Sequence, residues 1–195
     1  MIAHWGVHLS AEMDTGRPIA FLDRDGVINV GRQGYVNRPS EVELLPGAAE
    51  SVAKLRKLNF LICVVTNQSA ISRGLWGIEQ LEAIHQELQK QLFIEDEDAM
   101  VDLFLTCPHR YEEACGCRKP SPEMLHLGHR LLRVEGRSQE MMFSSNLHSI
   151  TEQSVNWWGE KPVPFHPLDL MVGDRRSDMG AGWAYGARLY RVSAH

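Results

Sequence analysis

Positive charge is in short supply in this chain. Its 20 lysines and arginines face 25 aspartates and glutamates, a formal net charge of -5 over 195 residues. That balance, with a pI near 6.0, argues against the broad basic face of a non-specific nucleic-acid binder. An anionic ligand would have to be held by a few local cations or by a metal ion. Long hydrophobic runs are missing too: no apolar stretch approaches the roughly 20 residues that cross a bilayer. The start, Met1-Ile2-Ala3-His4-Trp5-Gly6, has neither the basic leader nor the apolar core of a secretion signal. The expectation is a cytoplasmic protein without membrane or nucleic-acid partners. Cysteine is scarce, 4 in all. Cys63 lies in an apolar run and reads as core. Cys107, Cys115 and Cys117 crowd around His109, which in a reducing compartment suggests metal rather than disulfides.

What is present is an alternation of strand-like and helix-like segments, with no internal repeat. Strands are expected at Ile19 to Asp23, Phe60 to Thr66, Val101 to Leu105, Leu168 to Val172 and Arg188 to Val192. Helices are expected at Gly47 to Asn59, Ile78 to Ile94 and Ser121 to Val134, the last with Ser121 as N-cap and Pro122 at its first position. A short helix should start near Ser177. The pattern predicts an α/β fold, a Rossmann-like three-layer sandwich around a central parallel sheet. The length suits a single domain, residues 1–195.

In such folds ligands gather at the carboxyl ends of the strands, and the polar clusters of this chain fall there. Asp23 and Asp25 end the first strand in Phe21-Leu22-Asp23-Arg24-Asp25-Gly26. An Asx-rich turn would account for that pair alone. Thr66-Asn67-Gln68-Ser69 ends the second strand, and Gly173-Asp174 ends the fourth. Asp23, Asp25 and Asp174 offer oxygens suited to Mg²⁺. Thr66 offers a hydroxyl, and Arg118 and Lys119 supply charge. Together these are the parts that phosphoryl transfer needs.

FLDRDGVIN, VVTNQSAISRG, CRKP and MVGDRRSDMGAG resemble the four ordered motifs of the haloacid dehalogenase superfamily of phosphatases. The closer resemblance is to the branch that holds heptose-bisphosphate and histidinol-phosphate phosphatases. It implies that Asp23 is the nucleophile and forms an aspartyl-phosphate. Asp25 would be the general acid and then the base, with a pKa raised by the crowded pair. Mg²⁺ would be held by Asp23, Asp174 and the backbone carbonyl of Asp25, with Asp178 as support. Thr66 and Lys119 would grip the phosphoryl oxygens.

Three thiols and an imidazole at Cys107, His109, Cys115 and Cys117 match a closed, structural zinc site; the alternative is free surface cysteines. The branch carries a zinc loop of this kind, which would stiffen the segment that delivers Arg118 and Lys119. Substrate contacts are expected from Arg32, Gln33, Gly34 and Tyr35, from Asn67, Gln68 and Ser69, and from Arg118. Arg73 is a candidate for a distal phosphate. Ala70 stands where the branch usually has glycine.

No large cap domain is expected. Residues from about 143 to 167 look inserted and should enter the sheet at the end opposite the catalytic face. The implied substrate is a small sugar phosphate, heptose 1,7-bisphosphate first and histidinol phosphate second. A zinc-stabilised binding module without catalysis is the alternative of a different class. The protein is expected to be a monomer, with self-association through the insert as the variation.

Overall fold

The computed structural model describes residues 1–6, 16–137, 139–144 and 154–193. Among these, six strands form one sheet in the order β1-β4-β3-β2-β5-β6. The strands are β1 (Ile2–Trp5), β2 (Ile19–Leu22), β3 (Leu61–Asn67), β4 (Leu103–Cys107), β5 (Leu170–Gly173) and β6 (Arg188–Arg191). The helices are α1 (Ala48–Lys57), α2 (Ile78–Glu95), α3 (Glu123–Arg130) and α4 (Arg176–Tyr185).

Alternation along the central strands divides two cores. Ile19 and Phe21 of β2 and Leu61, Cys63 and Val65 of β3 join the α3 and α4 side, with Leu125, Leu131 and Tyr185. Ala20 and Leu22, with Ile62 and Val64, join the α1 and α2 side, with Val52, Ile84 and Leu88. Both faces are covered, so β3 reads as an unbroken apolar run. Gly128 lets α3 sit close: a Cβ there would lie 2.9 Å from the Phe21 ring.

The sheet is parallel, as expected, except at one edge. β1 runs antiparallel to β4, with Ile2 opposite Thr106 and Trp5 opposite Leu103. The segment was not expected as a strand, because Ile2-Ala3-His4 is buried on both sides and shows no alternation. Its one polar member finds a partner in the interior: His4 Nδ1 lies 3.2 Å from His85 Nδ1, and the His85 ring stacks on Phe104 at 4.4 Å.

Element ends differ by small amounts from expectation. β4 begins two residues later, in register with β3 from Cys63↔Leu103 to Asn67↔Cys107. α3 begins at Glu123 with Pro122 as cap residue; the Ser121 hydroxyl accepts the Glu123 amide at 3.4 Å and donates to the Gly116 carbonyl, which ties off the preceding loop. α3 then widens into a π turn, Leu131–Glu135, which turns Arg133 inward onto buried Asp169.

The connection from β2 to α1 contains only a 3-10 turn, Pro39–Glu41, so no cap domain stands there. Residues 145–153 of the expected insert lie outside the described residues. The described remainder packs along α3 and α4: Trp157 lies 5.9 Å from Trp183, Trp183 Nε1 donates to the Asn156 carbonyl at 3.1 Å, and Phe165 stacks on His129 at 3.7 Å. Trp158 is 98% exposed, so the adjacent tryptophans have opposite fates. Among the described residues no helix is long and apolar enough to cross a membrane.

Candidate active site

β2 hands over to the site through a tight turn. The amide of Asp23 donates to Val172 of β5 at 2.9 Å, and the amides of Ile28 and Asn29 return to the Arg24 carbonyl. Gly26 is required: its φ is +84°, and a Cβ would lie 2.7 Å from Asp174 Oδ2. The turn thereby brings the end of β2 against the end of β5.

Asp23, Thr66 and Lys119 converge as expected. Lys119 Nζ lies 2.9 Å from Asp23 Oδ1 and 2.6 Å from Asp178 Oδ1, and it donates to the Val65 carbonyl at 2.7 Å. Burial alone would lower the Lys119 pKa, but the Asp178 and Asp23 carboxylates outweigh it and raise it. Asp178 therefore has two tasks. It holds Lys119, and it accepts the Arg175 amide at 2.9 Å, capping α4.

The two motif aspartates have opposite electrostatics. Burial pushes Asp23 up to about 7. Burial also works against Asp25, but the Arg24 guanidinium and the Asn29 and Gln68 amides hold its carboxyl below the usual range. The expected raised acid in the crowded pair is thus found at Asp23 instead. Arg24 is the reason, fully buried with Nη2 2.9 Å from Asp25 Oδ2. Side chains one apart in a regular strand would diverge; the turn after Asp23 is what lets this pair meet.

Asp23, Asp174 and Asp178 each place a carboxylate oxygen within 4.8 Å of the others. Asp174 Oδ1 is buried without a hydrogen-bond partner among the described residues, and burial with the nearby Asp178 charge raises the Asp174 pKa. An acceptor with no donor beside like charges fits a hard divalent cation such as Mg²⁺.

The second metal cluster is also assembled. Cys107, His109, Cys115 and Cys117 lie within 4.8 Å of one another. Cys107 Sγ is 3.5 Å from Cys115 Sγ and 3.7 Å from His109 Nδ1, and Cys117 Sγ is 3.5 Å from that nitrogen. Ligands about 2.0–2.3 Å from one tetrahedral zinc have such edges. The bonds from Cys115 and Cys117 push the Cys107 thiol up, whereas those from Cys107 and Cys117 hold Cys115 down. Three thiolates need a cation to coexist there. Arg118 donates to the His109 carbonyl at 2.9 Å, which ties its side chain to the loop that carries this cluster.

A cavity of about 640 Å³ opens over the strand ends, lined among others by Asp23, Asp25, Arg32, Gln33, Tyr35, Thr66, Asn67, Arg118 and Lys119. Gly34, Gln68, Ser69 and Arg73, expected as substrate contacts, are not part of its wall. Gln68 is 1% exposed and lies beneath Asp25 and Thr66. The Ser69 hydroxyl meets the Tyr35 phenol at 2.9 Å, and that bond, with Arg73 beside it, lowers the Tyr35 pKa. Tyr35 holds a φ of +69°, the left-handed region that an aromatic residue rarely takes. Asn67 lines the cavity, but its amide accepts from the Lys119 nitrogen at 3.1 Å and donates to the Lys119 carbonyl at 3.2 Å. Ala70 fits without a positive φ. Described residues of the insert do not reach the cavity wall.

Arg175, Arg176 and Tyr111 also line the cavity and were not anticipated. Arginines in the first turn of a helix oppose its dipole, and that mismatch in MVGDRRSDM was the available signal.

No family model matches the chain. It is 35% identical over 160 residues to the D-glycero-alpha-D-manno-heptose-1,7-bisphosphate 7-phosphatase of Mycobacterium tuberculosis, covering 82% of this chain and 68% of that protein. It is 32% identical over 171 residues to the D-glycero-beta-D-manno-heptose-1,7-bisphosphate 7-phosphatase of Helicobacter pylori, covering 87% of this chain and 79% of that one. Among solved structures, the D,D-heptose 1,7-bisphosphate phosphatase of B. bronchiseptica, complexed with magnesium and phosphate, superimposes with a TM-score of 0.66 at 27% identity. That match covers 89% of this chain and 79% of that one. With the strand-end carboxylates, Thr66 and Lys119 in place, the chain belongs to the heptose-1,7-bisphosphate 7-phosphatase family of haloacid dehalogenase-type phosphatases.

Proposed function

We propose that this protein removes the 7-phosphate of D-glycero-D-manno-heptose 1,7-bisphosphate by way of an aspartyl-phosphate on Asp23. The reaction would supply heptose 1-phosphate for a nucleotide-activated sugar, as lipopolysaccharide or a related glycan requires. The observation that carries this reading is the cavity wall. A chain short of positive charge places Arg32, Arg118, Arg175, Arg176 and Lys119 around one 640 Å³ space. Such a wall favours a substrate with two phosphates over histidinol phosphate, whose amine would face like charge.

Asp23 Oδ attacks phosphorus while Lys119 and the Thr66 hydroxyl hold the phosphoryl oxygens. A Mg²⁺ ion at Asp23, Asp174 and the Asp25 carbonyl would neutralise phosphoryl charge and favour the ionised form of Asp23. Asp25 gives its proton to the departing sugar oxygen. The incoming phosphate adds negative charge beside Asp25, which raises its proton affinity from the low resting level. Water then attacks the phosphorus of the aspartyl-phosphate, returns a proton to Asp25 and frees Asp23. A structural zinc at the Cys-His-Cys-Cys cluster would hold Arg118 and Lys119 in register.

The test is phosphate release from heptose 1,7-bisphosphate and from histidinol phosphate, side by side, with Mg²⁺. The bisphosphate should give a kcat/KM at least tenfold higher, lost on chelation. Preference for histidinol phosphate would reassign the substrate. Release from neither would favour a zinc-stabilised binding module.

A further inference from the structure

We infer that Gln68 is a positioning residue whose side-chain amide fixes the Asp25 carboxylate and the Thr66 hydroxyl in one arrangement, so that proton delivery to the leaving oxygen is aligned with the seat of the phosphoryl group. The inference rests on the proposed role of Asp25 as the acid.

Gln68 Nε2 donates to Asp25 Oδ2 at 2.7 Å and to Thr66 Oγ1 at 2.8 Å. Both hydrogens of one amide nitrogen are used, each on a different member of the machinery. The orientation of the amide follows from its partners, because an ionised carboxylate only accepts. Gln68 Oε1 is left buried with no hydrogen-bond partner among the described residues. The side chain thus gives up its acceptor to keep two donor contacts.

The backbone around Gln68 is also fixed. Its amide donates to the Cys107 carbonyl at 2.8 Å, which anchors it to the end of β4 and the start of the cysteine loop. Asp25 is gripped from the other side, where Oδ1 accepts from Asn29 Nδ2 at 2.9 Å and from Arg24 Nη2 at 3.1 Å. Gln68 is the one of these three donors that also touches a phosphate-gripping group. At 1% exposure and outside the cavity wall, it cannot act as a substrate contact. Its effect has to travel through Asp25 and Thr66.

Leaving-group chemistry separates this role from a structural one. A sugar alkoxide needs a proton to depart, whereas p-nitrophenolate leaves without one. Misaligning the acid should therefore cost the sugar phosphate more. Gln68→Met keeps the length and removes both donors. Expected is a fall in kcat/KM, which reports formation of the aspartyl-phosphate and not its hydrolysis, about tenfold larger on heptose 1,7-bisphosphate than on p-nitrophenyl phosphate. Gln68→Glu, which replaces the donor by an acceptor, should show the same divergence and serves if the methionine variant does not fold. Proportional losses in kcat/KM on both substrates would overturn the inference. Asp25→Asn is the reference. If it diverges and Gln68→Met does not, Gln68 alone is misassigned. If Asp25→Asn shows no divergence, the acid assignment fails and the inference falls with it.

Discussion

At the amino ends of β2 and β5 the carboxylate of Asp169 is fully buried and fully used. It accepts the Ile19 amide at 2.8 Å, the Tyr185 hydroxyl at 2.9 Å and two nitrogens of Arg133. At the carboxyl ends of the same strands Asp23 keeps the Arg24 amide and Lys119 as partners, and Asp174 is left incomplete. Asp23 is pushed up to about 7 by its burial, and Asp174 Oδ1 has no donor among the described residues. Both ends carry acids on the same two strands, buried for Asp169 and Asp23 and partly buried for Asp174, and their partners differ. A satisfied carboxylate locks strands together. An unsatisfied one has lone pairs free for a cation, and the cavity opens at that end.

Breaking each end should therefore give opposite phenotypes. The largest effect on turnover is expected from Asp23→Asn, because a neutral amide cannot attack phosphorus. Phosphate release should fall by about 10³-fold or more, while the metal-free protein should melt no lower than wild type, since a crowded carboxylate has been removed. At the other end, Asp169→Ala leaves the Arg133 guanidinium buried and unpaired. Denaturant titration should show a loss of about 3–5 kcal/mol, with kcat per folded molecule close to wild type. A loss of kcat with unchanged stability would erase the distinction between the two ends.

The cysteine cluster lies between these extremes, since its proposed role is structural but it borders the open end. Cys115→Ser should remove about one zinc per chain, read by metal analysis, lower the melting temperature and reduce kcat only by displacing Arg118 and Lys119. Zinc-free protein that remained folded and active would refute the role of the loop.

The smallest effect is expected at the β1 edge. Burial lowers the pKa of His4 and, more strongly, of His85. A depressed histidine pKa means that the unfolded chain takes up protons first as pH falls. Stability contributed by the neutral pair is thus complete above about 6.5, the ordinary histidine value, and declines below it by up to about 1.4 kcal/mol per pH unit for each proton. His85→Leu should flatten that decline; an unchanged slope would show that the pair is not its source.

Much of the site was legible because strand ends translate short spacing directly into geometry. Asp23, Thr66, Lys119 and Asp174 each end or follow a strand, and parallel strands bring such ends together. The cysteine cluster was legible from ligand type and spacing. Other features depended on tertiary partners. Arg24 looks like a surface residue until the turn seats it on Asp25. Gln68 looks like a substrate contact, but strand β3 carries it beneath the site. Arg175 and Arg176 were hidden in a motif read for its aspartates. β1 escaped notice because burial on both faces erased its alternation.

The most direct test is to trap the covalent intermediate. Asp25→Asn protein is mixed with heptose 1,7-bisphosphate and Mg²⁺, quenched in acid within a turnover, and its peptides are examined by mass spectrometry. The account predicts one added phosphoryl group on the peptide that contains Asp23, absent in the Asp23→Asn, Asp25→Asn double variant. Phosphate released within the same turnover, with no phosphorylated peptide at any quench time, would contradict it.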